Sequence, residues 1–105
     1  MTGAAPPHVN GARGEVIATL AGAPRRLCLT LGALAELETA FGLTGWKALS
    51  ERLRGLSPGD LLTVLAALLR GGGEGEAATA LPNAPVDFRE AVDAVSRAFQ
   101  AAGAG

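Results

Sequence analysis

Few residues in this sequence have the types and spacing that catalysis requires. The only histidine, His8, lies in a proline- and glycine-rich start without hydrophobic periodicity, where nothing would position an imidazole for acid–base chemistry. The only cysteine, Cys28, would need an activating base to act as a nucleophile, and the chain offers none outside its first residues. We interpret His8 as incidental, and Cys28 as a small packing residue or a partly exposed strand residue.

The carboxylates do not form a catalytic or metal-binding arrangement. Glu36 and Glu38 are two positions apart, which places them on different sides of a helix. Asp60 is better explained as part of a helix cap, and Glu74 and Glu76 lie in a glycine-rich run where water would solvate them. No pair or cluster has the spacing of metal ligands. The residues therefore predict no catalytic, cofactor-binding or metal site.

The glycine-rich run RGGGEGE, residues 70–76, is a poor candidate for a phosphate cradle. Such cradles join a strand to a helix and carry a Lys-Ser/Thr pair, whereas this run follows a predicted helix and lacks the pair. The net charge is −1 and the basic residues are scattered. A nucleic-acid binder usually clusters them on one face, because phosphate neutralisation provides most of its affinity. We expect no nucleic-acid partner.

Length and composition are those of one small domain. The chain has 105 residues, 49% of them hydrophobic, but only four aromatic residues, so Leu, Val and Ala must fill most of the core. No stretch of about 18 consecutive apolar residues predicts a membrane span, and the first residues lack the apolar core of a signal peptide. A single cysteine excludes an internal disulfide and fits a reducing compartment. We expect a cytoplasmic protein with no membrane partner.

The chain divides into a start, a folded middle and an end. Residues 1–13 predict a flexible arm, residues 14–101 a single α+β domain, and residues 102–105 a frayed tail. Within the domain, residues 71–85 predict a flexible Gly/Ala/Pro-rich connection, because long connections in compact domains are often functional or disordered. A helical turn in EGEAATAL, residues 74–81, is a weaker alternative.

The folded part begins with an antiparallel β-hairpin. The runs EVIATL and RRLCLTL alternate in polarity and are joined by AGAP, residues 21–24. In the second run the leucines Leu27, Leu29 and Leu31 share one face of the strand, opposite Cys28.

About four packed helices follow the hairpin. Thr30 is the expected cap of the first, whose apolar stripe starts at Leu31 and which stops at Gly42. Thr44 is the expected cap of the second. Ser57 caps the third, with Pro58 at its first position and Asp60 three residues after the cap, and the third helix is so apolar that it is either central or covered by a partner. The last helix, roughly residues 87–101, has one apolar face: Phe88, Ala91, Val92, Val95 and Phe99.

Large apolar residues near the second and last helices are the candidates for binding another protein. We predict a protein-interaction site on the helical side of the domain, at Leu43, Trp46, Leu49, Val95 and Phe99. Aromatic residues often anchor interfaces; for Trp46 the favoured alternative is that it completes the core. A second copy of the chain is a possible partner, because a domain this small has little surface to cover its own apolar helices.

Residues 13–73 resemble a known family. The pieces that carry the resemblance are LTLGALAELETAFG, residues 29–42, and SPGDLLTVLAALLRGGG, residues 57–73. They are similar to the tail-assembly proteins encoded by alphaproteobacterial gene transfer agents and related siphophage-like prophages. In that family a strand hairpin precedes the first piece, and a helix closing on a glycine-rich break forms the second.

The resemblance implies a non-enzymatic tail assembly chaperone. Such a protein would coat the tape-measure protein, the long helical protein that sets tail length, and recruit tail-tube subunits around it. The alternative is a structural component of the tail, tube or tube-associated, that stays in the particle. We expect the chaperone because one hairpin is little sheet for closing a tube. A regulatory domain that binds nucleic acid is a third hypothesis, disfavoured by the scattered charges.

Overall fold

The hairpin and the helices follow one another along the chain as predicted. The computed structural model describes residues 14–104, and the predicted arm, residues 1–13, lies outside the described residues. Within residues 14–104 there are two strands, five α-helices and two 3₁₀ turns: β1 (Glu15–Leu20), β2 (Ala23–Cys28), α1 (Leu31–Phe41), α2 (Trp46–Arg52), a 3₁₀ turn (Leu53–Gly55), α3 (Pro58–Gly71), α4 (Gly75–Ala80), a 3₁₀ turn (Leu81–Asn83) and α5 (Phe88–Ala104). The predicted α+β class is confirmed, with five helices rather than about four.

The two strands are joined by a tighter turn than the sequence predicts. β1 and β2 pair antiparallel in a register that sets Ile17 opposite Arg26 and Leu20 opposite Ala23. Only Ala21 and Gly22 lie between the strands, with φ of 52° and 82°. Positive φ at both positions is what a two-residue turn of type I′ requires, since its twist matches that of the strands.

Side-chain caps begin α1 and α3 at the predicted residues. The hydroxyl of Thr30 accepts from the Ala33 N–H at 3.0 Å. At α3 the Ser57 hydroxyl accepts from the Asp60 N–H at 3.1 Å, and the Asp60 carboxylate accepts from the Ser57 N–H, which completes a capping box. Arg52 also donates to that carboxylate at 3.0 Å and lowers the pKa of Asp60.

Loss of the α3 cap gives a first prediction. Ser57→Ala leaves the Asp60 N–H without its acceptor and is expected to lower the free energy of unfolding by about 1 kcal/mol. Thr39→Ala, an exposed substitution inside α1, is the control and is expected to cost nothing, because alanine favours a helix interior. Urea denaturation measures both. Equal stabilities for the two variants would contradict the role of the cap.

The second helix does not begin at Thr44 as predicted. Gly45 is the N-terminal cap of α2, with φ of 92° and no side-chain capping bond. Its N–H donates instead to the Glu38 carboxylate at 2.6 Å. Glu38, on the preceding helix, therefore holds the α1–α2 connection in place. Because Glu38 is seven residues from Gly45, this bond does not follow from the residues next to the helix start.

Residues 71–85, expected as a flexible connection, contain α4 and a 3₁₀ turn. The alanine-rich sequence favours a helix, and burial of Ala78 and Leu81 adds tertiary packing. At its start, the Glu74 carboxylate accepts from the Arg26 N–H of β2 at 3.0 Å. At the other end of the chain, α5 continues to Ala104, so residues 102–104 are helical where the sequence predicts fraying.

The core is built around α3, which contacts α1, α4, α5 and β2. Val64, Leu65 and Leu68 are completely buried there, so the central position for the apolar third helix is the correct alternative. Cys28 is buried, in agreement with a packing role. Leu31 is an exception to the predicted stripe on α1, because its side chain is 85% exposed while Ala33 and Leu37 are buried. No helix within residues 14–104 is both long and apolar enough to cross a membrane.

Candidate protein-interaction site

The helix α5 divides its apolar residues between the core and the surface. The Asp87 carboxylate accepts from the Arg89 N–H at 3.2 Å and caps the first turn. One side of the helix is buried: Ala91, Ala94, Val95, Ala98 and Phe99. The side chains of Phe88 and Val92 are 61% and 43% exposed. The predicted apolar face is therefore split, with Phe88 and Val92 outside the core.

The alanines of α5 show which side of the helix is buried. Ala94 and Ala98 are completely buried, and α5 contacts both β1 and α3. Small side chains let the helix approach its neighbours closely, so the buried arc includes the alanines as well as Val95 and Phe99. Val92 lies at the edge of this arc, and Phe88 is exposed as the first residue of α5. The sequence pattern placed Phe88 and Val92 in one apolar face and did not identify them as interaction residues. The alanines of α5 are the sequence signal that could have shown that the buried side extends away from Val92.

An apolar groove of about 560 Å³ runs along the exposed side of α5. Its opposite wall comes from the 3₁₀ turn after α2 and the first residues of α3. Among the residues that the structure describes, Arg54 is the only charged one that lines it, and Ser96 and Gln100 add polar groups at one side. The apolar lining consists of Leu53, Leu56, Leu61, Phe88, Val92, Val95 and Phe99.

A second, smaller groove of about 190 Å³ lies on the other side of Phe88. Leu62, Pro82 and Val86 are among its lining residues, and Phe88 borders both grooves. Phe88 is therefore a ridge between two apolar depressions. We call Phe88, Val92 and the two grooves the α5 surface.

The structure brings together three of the five residues predicted for a protein-interaction site. Val95 and Phe99 form part of the floor of the larger groove. Trp46 stacks on Phe99 with ring centroids 5.7 Å apart and remains 43% exposed. Leu49 is completely buried and offers no surface, and Leu43 is half-buried and does not line the groove.

Charged residues flank the exposed edge of α5. Asp93 and Arg97 form an i, i+4 ion pair, with Asp93 Oδ2 and a guanidinium nitrogen of Arg97 3.5 Å apart. Arg97 also donates to the Ile17 carbonyl of β1 at 2.8 Å, which ties α5 to the hairpin. In the part of the chain that the structure describes, no group of His, Cys, Asp and Glu residues is arranged to hold a metal ion. This site therefore offers an apolar contact surface, and charged side chains lie along its border.

Comparison with known proteins assigns the chain to a family. The sequence model of a family described as phage tail tube protein, GTA-gp10, matches residues 13–105. The chain belongs to this family. The match extends beyond Gly73, where the resemblance seen in the sequence ended, and includes the whole of α5. No curated protein and no solved structure matches the chain significantly.

Membership of this family confirms one part of the functional prediction and corrects another. Assignment to the tails of phages and gene transfer agents is confirmed. The prediction of a tail assembly chaperone is wrong, because the family is described as a tube protein; the structural alternative is the supported one. The small number of strands does not exclude a tube component, because helical surfaces also bury apolar area between protein subunits. A tail tube family implies contacts with other tail proteins.

Proposed function

We propose that this chain is a structural, non-enzymatic component of a phage-like tail, in the tube or directly against it, and that it remains in the finished particle. The observation that carries the proposal is the family match over residues 13–105. The match covers every element that the structure describes, so the proposal concerns the whole fold rather than one motif.

The α5 surface is the part of the molecule best suited to contact a neighbour in the tail. Phe88, Val92 and Leu62 are large apolar side chains that the fold leaves exposed, and they adjoin grooves of about 560 and 190 Å³. A continuous exposed apolar area bordered by polar groups is typical of protein interfaces. Burial of this surface against another tail protein would stabilise the assembly.

The tape-measure protein is a further proposed neighbour in the tail. The sequence resemblance implies it as a partner, and a long helical protein presents apolar stripes along its length. Cross-linking of intact particles followed by peptide mass spectrometry is expected to recover peptides of this chain joined to tape-measure peptides. Cross-links exclusively to other tail proteins would contradict this partner while leaving the tail role in place.

Quantitative mass spectrometry of purified particles tests the structural role itself. A tail component is expected at a constant ratio to the other tail proteins, and the ratio should hold when detached tails are separated from heads. Less than one copy per particle would overturn the proposal.

Substitutions in the α5 surface give the matching test of the contact. Phe88→Ser is expected to lower the number of copies in the particle about tenfold, since the ridge removed is worth more than the 1.4 kcal/mol that a tenfold change requires. Leu31→Ser is the control, because Leu31 is equally apolar and more exposed but lies on α1. Equal incorporation of both variants would show that the contact is elsewhere.

A further inference from the structure

The α5 surface has the features of a surface that fits a second copy of itself. It carries a ridge, Phe88 and Val92, beside a groove that extends along the helix from Phe88 to Gln100. At the helical rise of 1.5 Å per residue this groove is about 18 Å long, which is long enough to receive a second α5 ridge. A surface that contains both the projection and the depression is complementary to its own copy when the two helices run in opposite directions.

The charges on α5 favour the same arrangement. Arg89 and Asp93 are both exposed and lie one helical turn apart on the border of the ridge. Within residues 14–104 no ion pair involves Arg89, and the Asp93 side chain is 66% exposed beside Arg97. When two antiparallel copies of α5 meet level with Ala91, each Arg89 lies opposite the Asp93 of the other copy. Parallel helices would instead place like charges together.

We propose that the α5 surfaces of two copies of this chain pair about a two-fold axis level with Ala91. The ridge of each copy lies in the larger groove of the other, with Phe88 near Val92 and Ser96 of the second copy. Two Arg89–Asp93 ion pairs close the border. The inference rests on the proposed role of the α5 surface as a protein-binding surface, but it does not depend on the presence of the chain in a tail.

A two-fold contact of this kind forms a dimer and no larger assembly. Because the same patch is used on both sides of an isologous interface, the pair closes and cannot grow into a tube by the same contact. The pair is therefore a state of the free chain, in which Phe88 and Val92 are covered before a tail neighbour replaces the second copy.

Charge reversal tests this geometry without removing apolar contact. Arg89→Asp creates a copy with two acids at the border, and Asp93→Arg creates one with two bases. Each variant alone is expected to raise the dimer dissociation constant at least about tenfold in sedimentation equilibrium, because like charges face each other twice. An equimolar mixture of the two is expected to recover the wild-type constant as a heterodimer, since every facing pair is again of opposite sign. The double variant Arg89→Asp/Asp93→Arg is expected to recover it as a homodimer.

The outcomes separate this inference from the proposed function. Both positions are exposed, so circular dichroism is expected to show folded variants, and Phe88→Ser provides a second way to weaken the pair. A wild-type chain that stays monomeric at millimolar concentration, single variants with an unchanged dissociation constant, or a mixture that fails to pair would each overturn the two-fold contact. A chain found in particles but monomeric in solution overturns the pair and leaves the tail role. A chain that dimerises in solution but is absent from particles overturns the tail role and leaves the pair.

Discussion

Replacing Gly72 with alanine is expected to lower the free energy of unfolding by about 3 kcal/mol. A Cβ at this position would overlap the carbonyl group of Arg26 in β2 and would lie 3.0 Å from the backbone nitrogen of Leu27. The backbone of Gly72 itself is unstrained, with φ of −88° and ψ of 2°. The requirement for glycine is therefore the close approach of two backbones and not an unusual conformation.

Neither backbone can move away cheaply. β2 is hydrogen-bonded to β1 along its length, and Leu27 is completely buried. On the other side, Gly72 follows directly after α3, whose residues form the centre of the core. Relief of the overlap would separate the hairpin from α3 and expose apolar surface, which is why we expect a large effect from a single methyl group.

A second glycine provides the matched control for this substitution. Gly75 begins α4, and a Cβ built there meets nothing within 4 Å. Gly75→Ala is expected to be neutral or to stabilise the domain by up to about 1 kcal/mol, because alanine restricts the unfolded chain. Urea denaturation of both variants measures the difference. If Gly72→Ala proved as stable as Gly75→Ala, the hairpin would have to be able to shift away from α3.

Gly71 and Gly72 show how far the sequence could be interpreted. Their run predicts the end of α3, and that prediction is correct, because α3 ends at Gly71. The close packing of Gly71 and Gly72 against β2 could not be predicted, since it depends on which strand lies beside the helix. The caps at Thr30 and Ser57 were predictable because their hydrogen bonds span only three residues. The end of α3 is a local feature of the same kind.

Burial was less predictable than element boundaries. Leu31 and Phe88 both lie at helical positions that extend an apolar stripe, and both are exposed. Each is the first residue of its helix, where the neighbouring elements do not continue alongside. The candidate site depended on this distinction, because Phe88 and Val92 are exposed as a ridge, whereas Val95 and Phe99 are buried in the floor of the larger groove. Periodicity identifies a face, but the packing of α5 on β1 and α3 decides which part of that face is buried.

The two phenylalanines of α5 give the second large prediction, because they separate core from surface within one helix. Phe99 is 9% exposed, stacks on Trp46 and forms part of the groove floor. Phe99→Ala is expected to lower the free energy of unfolding by about 3 kcal/mol, since it leaves a cavity that the surrounding side chains fill only in part. Phe88→Ala removes the same atoms from an exposed position and is expected to cost less than about 1 kcal/mol.

Measurement of both variants by urea denaturation and by sedimentation distinguishes the roles of the two rings. Phe88→Ala is expected to keep nearly all of its stability and to lose self-association, because its ring is the ridge that enters the groove of the second copy. Phe99→Ala is expected to lose stability first, and any loss of association would follow from the altered groove floor. Equal destabilisation by the two substitutions would mean that Phe88 belongs to the core, and the α5 surface would then have no ridge with which to bind another chain.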